Sequence, residues 1–238
     1  MNQSKPNPIR PLVAWRALRR LIQDPEDTAQ VFEIIRAIGG RAIERGFRRF
    51  RLTPVGEKIL REKINLVDTL KDREYLATLP RESLGQAYLH FTASQQLTAD
   101  GLVDASEDHT EEMLDPNVKL YAERLRDMHD LWHTLTGYGR DELGEACLLA
   151  FTYAQTRNRG IALIVLFAGL EIRKSIGISV FRAICRGYRD GRKATWLPQQ
   201  DFEALLKHPI SEVRKELNIN EPIPYRALLS DYLEAQAL

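Results

Sequence analysis

Apolar residues recur at helical spacing along most of the chain. Leu12, Trp15, Leu18, Leu21 and Ile22 form the first such pattern, with Arg16, Arg19 and Arg20 on the other face. Asp24-Pro25-Glu26-Asp27 reads as a helix start, with a capping residue, proline in the first turn and acids at the positive end of the dipole. Val31, Ile34, Ile35 and Ile38 continue that helix until Gly39-Gly40 stops it. Ile43 and Phe47 mark another, and Thr53-Pro54 opens a short one containing Ile59 and Leu60. Leu79-Pro80 breaks the chain, and Ser83 to about Ala93 reads as a helix bearing Tyr88 and Phe91.

Residues 95–116 are the least periodic stretch, with a turn at Ala99-Asp100-Gly101 and an acidic loop of Glu107, Asp108, Glu111, Glu112 and Asp115. After Pro116 one long helix is predicted to about Tyr138, where Gly137-Tyr138-Gly139 turns the chain. A second runs from about Asp141 to Thr156, a third from Ile161 to Lys174 and a fourth from roughly Val180 to Tyr188. Trp196-Leu197-Pro198 leads into Phe202 to Leu206, and His208-Pro209 separates that from Ser211 to Leu217. No Asn-Gly or Asp-Gly lies between alternating runs, so hairpins are not expected. The expectation is one all-α domain over residues 1–238, in which the long helix packs against an antiparallel partner.

Composition adds exclusions. The chain has 238 residues, 44% hydrophobic and 28% charged, enough to build a core and too apolar for disorder. Cys147 and Cys185 share no CxxC spacing, which rules out a disulfide framework and a cysteine zinc site. The net charge of +1 argues against nucleic acid as a partner. That total hides a basic N-terminal third, +7 over residues 1–65, against −10 over residues 66–145. The basic third suits an anionic membrane surface, or is a set of solvated helix faces. No signal peptide is expected, and the longest apolar run, Ile161 to Leu170, has 10 residues, short of the ~20 that span a bilayer.

The candidate chemistry is His129-Asp130-Leu131-Trp132-His133, an HDxxH, with Glu145 beyond the next turn. On a helix His129 and His133 stack one turn apart, and Asp130 sits roughly 60° from His133 around the axis. An antiparallel helix after the turn brings Glu145 back to close the site. Two imidazoles and two carboxylates suit Zn²⁺, Fe²⁺ or Mn²⁺. Tyr121, Leu125, Met128, Trp132 and Leu135 form the apolar stripe of the long helix, with both histidines at its edge. Glu145 is flanked by Leu143, Ala146, Leu148, Leu149 and Phe151, so it is expected to be buried. A lone buried carboxylate costs several kcal/mol, so it needs a metal or an arginine such as Arg124. For Cys147 a small buried hydrophobe is the expected role.

These motifs resemble the coenzyme Q (ubiquinone) biosynthesis family Coq-four, whose signature is HDxxH, eleven residues and Glu. Arg126-Asp127-Met128-His129-Asp130, Gly144-Glu145, Ser83-Leu84-Gly85-Gln86-Ala87-Tyr88, Gly191-Arg192-Lys193-Ala194, Asp201-Phe202-Glu203 and Val213-Arg214-Lys215-Glu216-Leu217-Asn218-Ile219 are similar to the family's other segments. The resemblance covers about residues 10–220. It departs at Trp196-Leu197-Pro198-Gln199-Gln200 and after Asn158, which leaves open a paralogue acting on another prenylated lipid.

The resemblance implies a helical, membrane-peripheral protein that binds a polyprenylated aromatic lipid and a divalent metal, commonly zinc, through His129, Asp130, His133 and Glu145. In a bacterial cell it would be cytoplasmic, peripheral to the inner membrane, with other ubiquinone-biosynthesis enzymes as partners and a homodimer allowed. Two roles follow. One is oxidative decarboxylation, in which the ring carboxyl leaves C1 and a hydroxyl replaces it, with those four residues catalytic. The ion would act as a Lewis acid on the ring hydroxyl, and the electron-rich ring would react with dioxygen before CO2 leaves. The other is a non-catalytic scaffold for the pathway enzymes. A remote third reading is an HD-type phosphohydrolase, which needs an earlier histidine such as His109 and a later aspartate such as Asp141.

Overall fold

The computed structural model describes residues 9–24, 27–95 and 115–236. They form an all-α fold, and no strand occurs among them beyond an isolated antiparallel bridge between Ser83 and Pro209. The helices are α1 (Pro11–Gln23), α2 (Thr28–Ile38), α3 (Ala42–Phe50), α4 (Pro54–Glu62), α5 (Leu66–Lys71), α6 (Arg73–Thr78) and α7 (Leu84–Ser94). After the gap come α8 (Pro116–Asp127), α9 (His129–Thr136), α10 (Glu142–Thr156), α11 (Arg159–Ile176) and α12 (Val180–Lys193). A 3₁₀ turn at Leu197–Gln199 precedes α13 (Phe202–Leu205), α14 (Ile210–Glu216) and α15 (Ile223–Gln236).

Most boundaries follow local signals. The Thr53 hydroxyl accepts the Gly56 amide at 3.0 Å and caps α4, and Ser83 caps α7 in the same way. The stop expected at Gly39-Gly40 is present, with Gly40 at φ +57°. The single helix expected from Pro116 to Tyr138 is instead α8 and α9, separated at Met128. There ψ is −11°, about 30° from the helical value. Two bonds still bridge the break, from the Met128 amide to Arg124 O at 3.1 Å and from the Trp132 amide to Met128 O at 2.9 Å. The fourth helix extends past Tyr188 to Lys193, braced by Arg186 on Asp190 one turn later, 2.7 Å away. The short α5 and α6 and the terminal α15 were not expected. The turn and acidic loop expected within 95–116 lie outside the described residues, apart from Asp115, which caps α8.

The principal core wraps α10. Leu143, Cys147, Leu148 and Phe151 cluster with Met128 at the α8–α9 break, Leu131 and Leu135 from α9, Val180 and Ile184 from α12, and Leu197, Phe202 and Val213 from the C-terminal segment. Cys147 is the buried hydrophobe expected of it, and burial pushes its thiol pKa up. α12 approaches α10 closely because a Cβ at Gly187 or Gly191 would strike the Cys147 or Phe151 carbonyl. α1 and α2 pair and lie on α11 through Ala17, Leu18, Ile34 and Ile164. No helix among the described residues is long and apolar enough to cross a membrane.

Candidate metal centre

The turn between α9 and α10 sets the site. Gly137, at φ +73°, closes α9 and returns its amide to His133 O at 2.8 Å. The last carbonyls of α9 are taken up from outside: Arg214 Nε donates to Leu135 O at 2.8 Å and Nη2 to Thr134 O at 3.1 Å. Asp141 then caps α10, its Oδ1 accepting the Gly144 amide at 3.0 Å. Gly144 lies directly on the Gly139 backbone, where no side chain would fit. Glu145 therefore falls in the first turn of α10, where the helix dipole favours a carboxylate, and it faces α9.

The ligand-capable atoms of His129, Asp130 and His133 lie within 4.8 Å of one another. Glu145 stands across from them, Oε1 3.2 Å from His133 Nε2 and Oε2 3.8 Å from His129 Nε2. Asp130 and His133 are buried, whereas His129 and Glu145 are 26% and 28% exposed, so the site opens on that side. Glu145 is thus less buried than its apolar neighbours suggest, because its face of α10 looks into the opening. The arginine expected as its alternative partner, Arg124, is engaged elsewhere, with Glu203 at 2.6 and 2.8 Å and Gln200 O at 3.1 Å. Arg140 takes that place, Nε 3.5 Å from Glu145 Oε1.

His133 supplies the test of fit. Its Nδ1 lies 3.0 Å from Tyr138 O. A carbonyl can only accept, so Nδ1 carries the hydrogen and Nε2 is the atom left to face a ligand. That Nε2 is buried and has no hydrogen-bond partner, although the Glu145 carboxylate is 3.2 Å away. A lone pair facing a carboxylate needs a cation between them, either a proton on Nε2 or a metal ion. Two imidazoles and two carboxylates converging on one point are a donor set that fits a divalent ion. Phe91 from α7 stacks on the His133 ring at 5.4 Å and 20°, and His129 meets its edge at 4.8 Å.

The charges reinforce one another. Burial pushes the Glu145 carboxyl up, but His133, His129 and Arg140 outweigh it and bring it down to about 2. Asp130 is lowered against its own burial by His129, His133 and Arg140. Burial lowers His129, yet Asp130 and Glu145 hold it above the ordinary imidazole value. Both carboxylates are thus ionised at neutral pH.

The four residues singled out by spacing are brought together; Phe91, Arg140 and the Tyr138 carbonyl were not singled out. Arg140 leaves one sequence trace, a cation just before a helix N-terminus, where it needs a nearby anion. For the phosphohydrolase reading, His109 lies outside the described residues, and Asp141 already binds the Gly144 amide and the Tyr225 hydroxyl.

The Scheffersomyces stipitis "Ubiquinone biosynthesis protein COQ4, mitochondrial" is 28% identical over 182 residues, covering 76% of this chain and 55% of that protein. The Bos taurus "Ubiquinone biosynthesis protein COQ4 homolog, mitochondrial" is 26% identical over 212 residues, covering 89% and 78%. The chain therefore spans little more than half the length of the first relative. A crystal structure of a Nostoc punctiforme PCC 73102 protein superposes with a TM-score of 0.67 at 20% identity, over 90% of this chain and 100% of that one, which shows a shared fold. The family described as "Coenzyme Q (ubiquinone) biosynthesis protein Coq4" matches residues 10–223, and this chain belongs to it.

Proposed function

We propose that this ubiquinone-biosynthesis family member is a metal-dependent enzyme that replaces the C1 carboxyl of a polyprenylated hydroxybenzoate with a hydroxyl. The observation that carries the reading is the buried, unbonded Nε2 of His133 facing the Glu145 carboxylate. His129, Asp130, His133 and Glu145 would hold a divalent ion, Zn²⁺ or alternatively Fe²⁺ or Mn²⁺, which supplies Lewis-acid polarisation of a ring hydroxyl.

The chain's own residues do the rest. The Tyr138 carbonyl fixes the His133 tautomer, and Phe91 covers one face of that ring and keeps water off it. His129 and Glu145 leave the opening through which a ring can enter. Overall Ar–COOH, H2O and O2 give Ar–OH, CO2 and H2O2, with two electrons and two protons passing to dioxygen in this reading.

A second reading, a non-catalytic lipid-binding scaffold for the other pathway enzymes, draws on the exposed apolar residues Leu12, Trp15, Ile22, Leu166, Leu170 and Ile178. An anionic membrane surface is the proposed partner under both readings.

Metal analysis of protein purified without chelator tests the site. His129→Ala, His133→Ala and Glu145→Ala should each lose the ion, and Asp130→Asn should lose less because an amide oxygen still coordinates. Unchanged metal content in the His133 and Glu145 variants would overturn it. A folded ligand variant should fail to convert a prenylated hydroxybenzoate, with the carboxylated precursor accumulating. Normal quinone production by such a variant in cells would leave the scaffold reading standing.

A further inference from the structure

The opening of the candidate metal centre carries a charge that the ligand set does not use. Arg140 occupies the turn just before Asp141, with its side chain 37% exposed and Nε 3.5 Å from Glu145 Oε1. His133 and Asp130 are sealed, so solvent reaches the cluster past His129, Glu145 and Arg140. Arg140 is thus one of the three partly exposed side chains that border the cluster.

The charge balance gives that position a consequence. Asp130 and Glu145 contribute two negative charges, which a divalent ion between neutral imidazoles would cancel. Arg140 then leaves one positive charge at the mouth. A guanidinium has five N–H donors in a planar fork, and its approach to Glu145, 3.5 Å from Nε, is longer than a good hydrogen bond. The Nη groups retain the geometry that matches a carboxylate with two parallel hydrogen bonds.

We infer that Arg140 is the carboxylate-recognition residue of this site, receiving the carboxylate of an aromatic monocarboxylate substrate at the mouth of the metal centre. A neutral ring of the same shape gains nothing from it. The inference rests on the reading of the four residues as metal ligands, and it names the group that selects the acid over its decarboxylated product. That selectivity is what an enzyme removing a carboxyl needs, because product then leaves without competing for the same contact.

The test is calorimetric binding of 4-hydroxybenzoate and of its neutral counterpart 4-hydroxybenzyl alcohol to the full chain, with metal content measured on the same samples. R140Q should bind 4-hydroxybenzoate about ten-fold more weakly, the loss of one charge-assisted contact, and R140K should recover part of the affinity. Binding of 4-hydroxybenzyl alcohol should not change in either variant. Affinities are compared at equal metal occupancy, because Arg140 lies against the proposed ligand Glu145. Equal 4-hydroxybenzoate affinity in R140Q with metal retained, or no saturable binding by the unaltered chain, would overturn the inference. An unaltered chain that takes up no divalent ion would instead overturn the metal reading, and the comparison of R140Q with it would still report on the arginine.

Discussion

Tyr225, on the last helix, donates its hydroxyl hydrogen to Asp141 Oδ2, the residue that caps the helix carrying Glu145. The same hydroxyl accepts the Gly139 amide at 3.0 Å, so α15 latches both sides of the turn joining the two ligand-bearing helices. Tyr225→Phe keeps the ring and its contact with Tyr138, and removes only these bonds. The expected cost is about 1–3 kcal/mol, because one partner is a carboxylate and both are left in a part-buried turn. Urea unfolding measures it, and an unchanged midpoint would show that the latch carries no stability. Because the turn sets the distance between His133 and Glu145, the variant should also release divalent ion to a competing chelator more readily.

Arg214 grips the other end of the same unit, through the carbonyls of Thr134 and Leu135. Arg214→Met preserves the stem and leaves two acceptors at a helix end without their donor. The expected loss is again about 1–3 kcal/mol. Arg214→Lys should rescue little, since one ammonium cannot reproduce the two-pronged contact. Full rescue by lysine would mean that charge near the helix C-terminus matters and the fork does not.

The ligand spacing was legible because it is local: HDxxH is one helical turn, and Gly137, Asp141 and Gly144 are turn and capping residues whose chemistry shows in the chain itself. The break at Met128 left no sign, since no proline or glycine stands there and hydrogen bonds bridge it. Contacts that complete the site come from afar. Phe91 reaches His133 from α7, and Arg214 and Tyr225 reach the turn from the C-terminal helices, placements that periodicity cannot give. Arg124 was a candidate partner for Glu145 on charge alone, and tertiary packing gives it to Glu203.

The buried tyrosines set an alkaline limit. Tyr88, Tyr121, Tyr138 and Tyr225 are all held above the ordinary phenol value of 10.0, in each case chiefly because burial penalises the phenolate. The folded state therefore binds more protons than the unfolded chain once pH exceeds 10, and stability falls as pH rises from there. Below pH 10 these groups contribute no pH dependence. Phenolate absorbance and far-ultraviolet circular dichroism should change together above pH 10 for the buried set. Ionisation of all eight tyrosines with the helical signal intact would contradict this.

The outward face of α1 gives the last prediction. Leu12, Trp15 and Ile22 are exposed beside Arg16, Arg19 and Arg20, whereas Leu18, expected to share that face, is buried with Ala17 against Ile34 and Ile164. The helix thus turns one side to the protein and keeps an aromatic, two aliphatics and three cations for what lies outside. That composition suits the interface of an anionic bilayer, where apolar side chains enter the headgroup boundary and each basic residue contributes ~1 kcal/mol. Replacing Arg16, Arg19 and Arg20 with glutamate should lower binding to anionic liposomes at least about a hundred-fold and leave the weaker binding to neutral vesicles nearly unchanged. Trp15→Ala should weaken both, because its contribution is apolar, and it should not alter thermal stability, because the ring lies outside the core. Raising salt should reproduce the effect of the charge reversal. Equal binding to neutral and anionic vesicles, insensitive to salt, would show that these arginines form only a solvated face and that a lipid substrate reaches the site by another route.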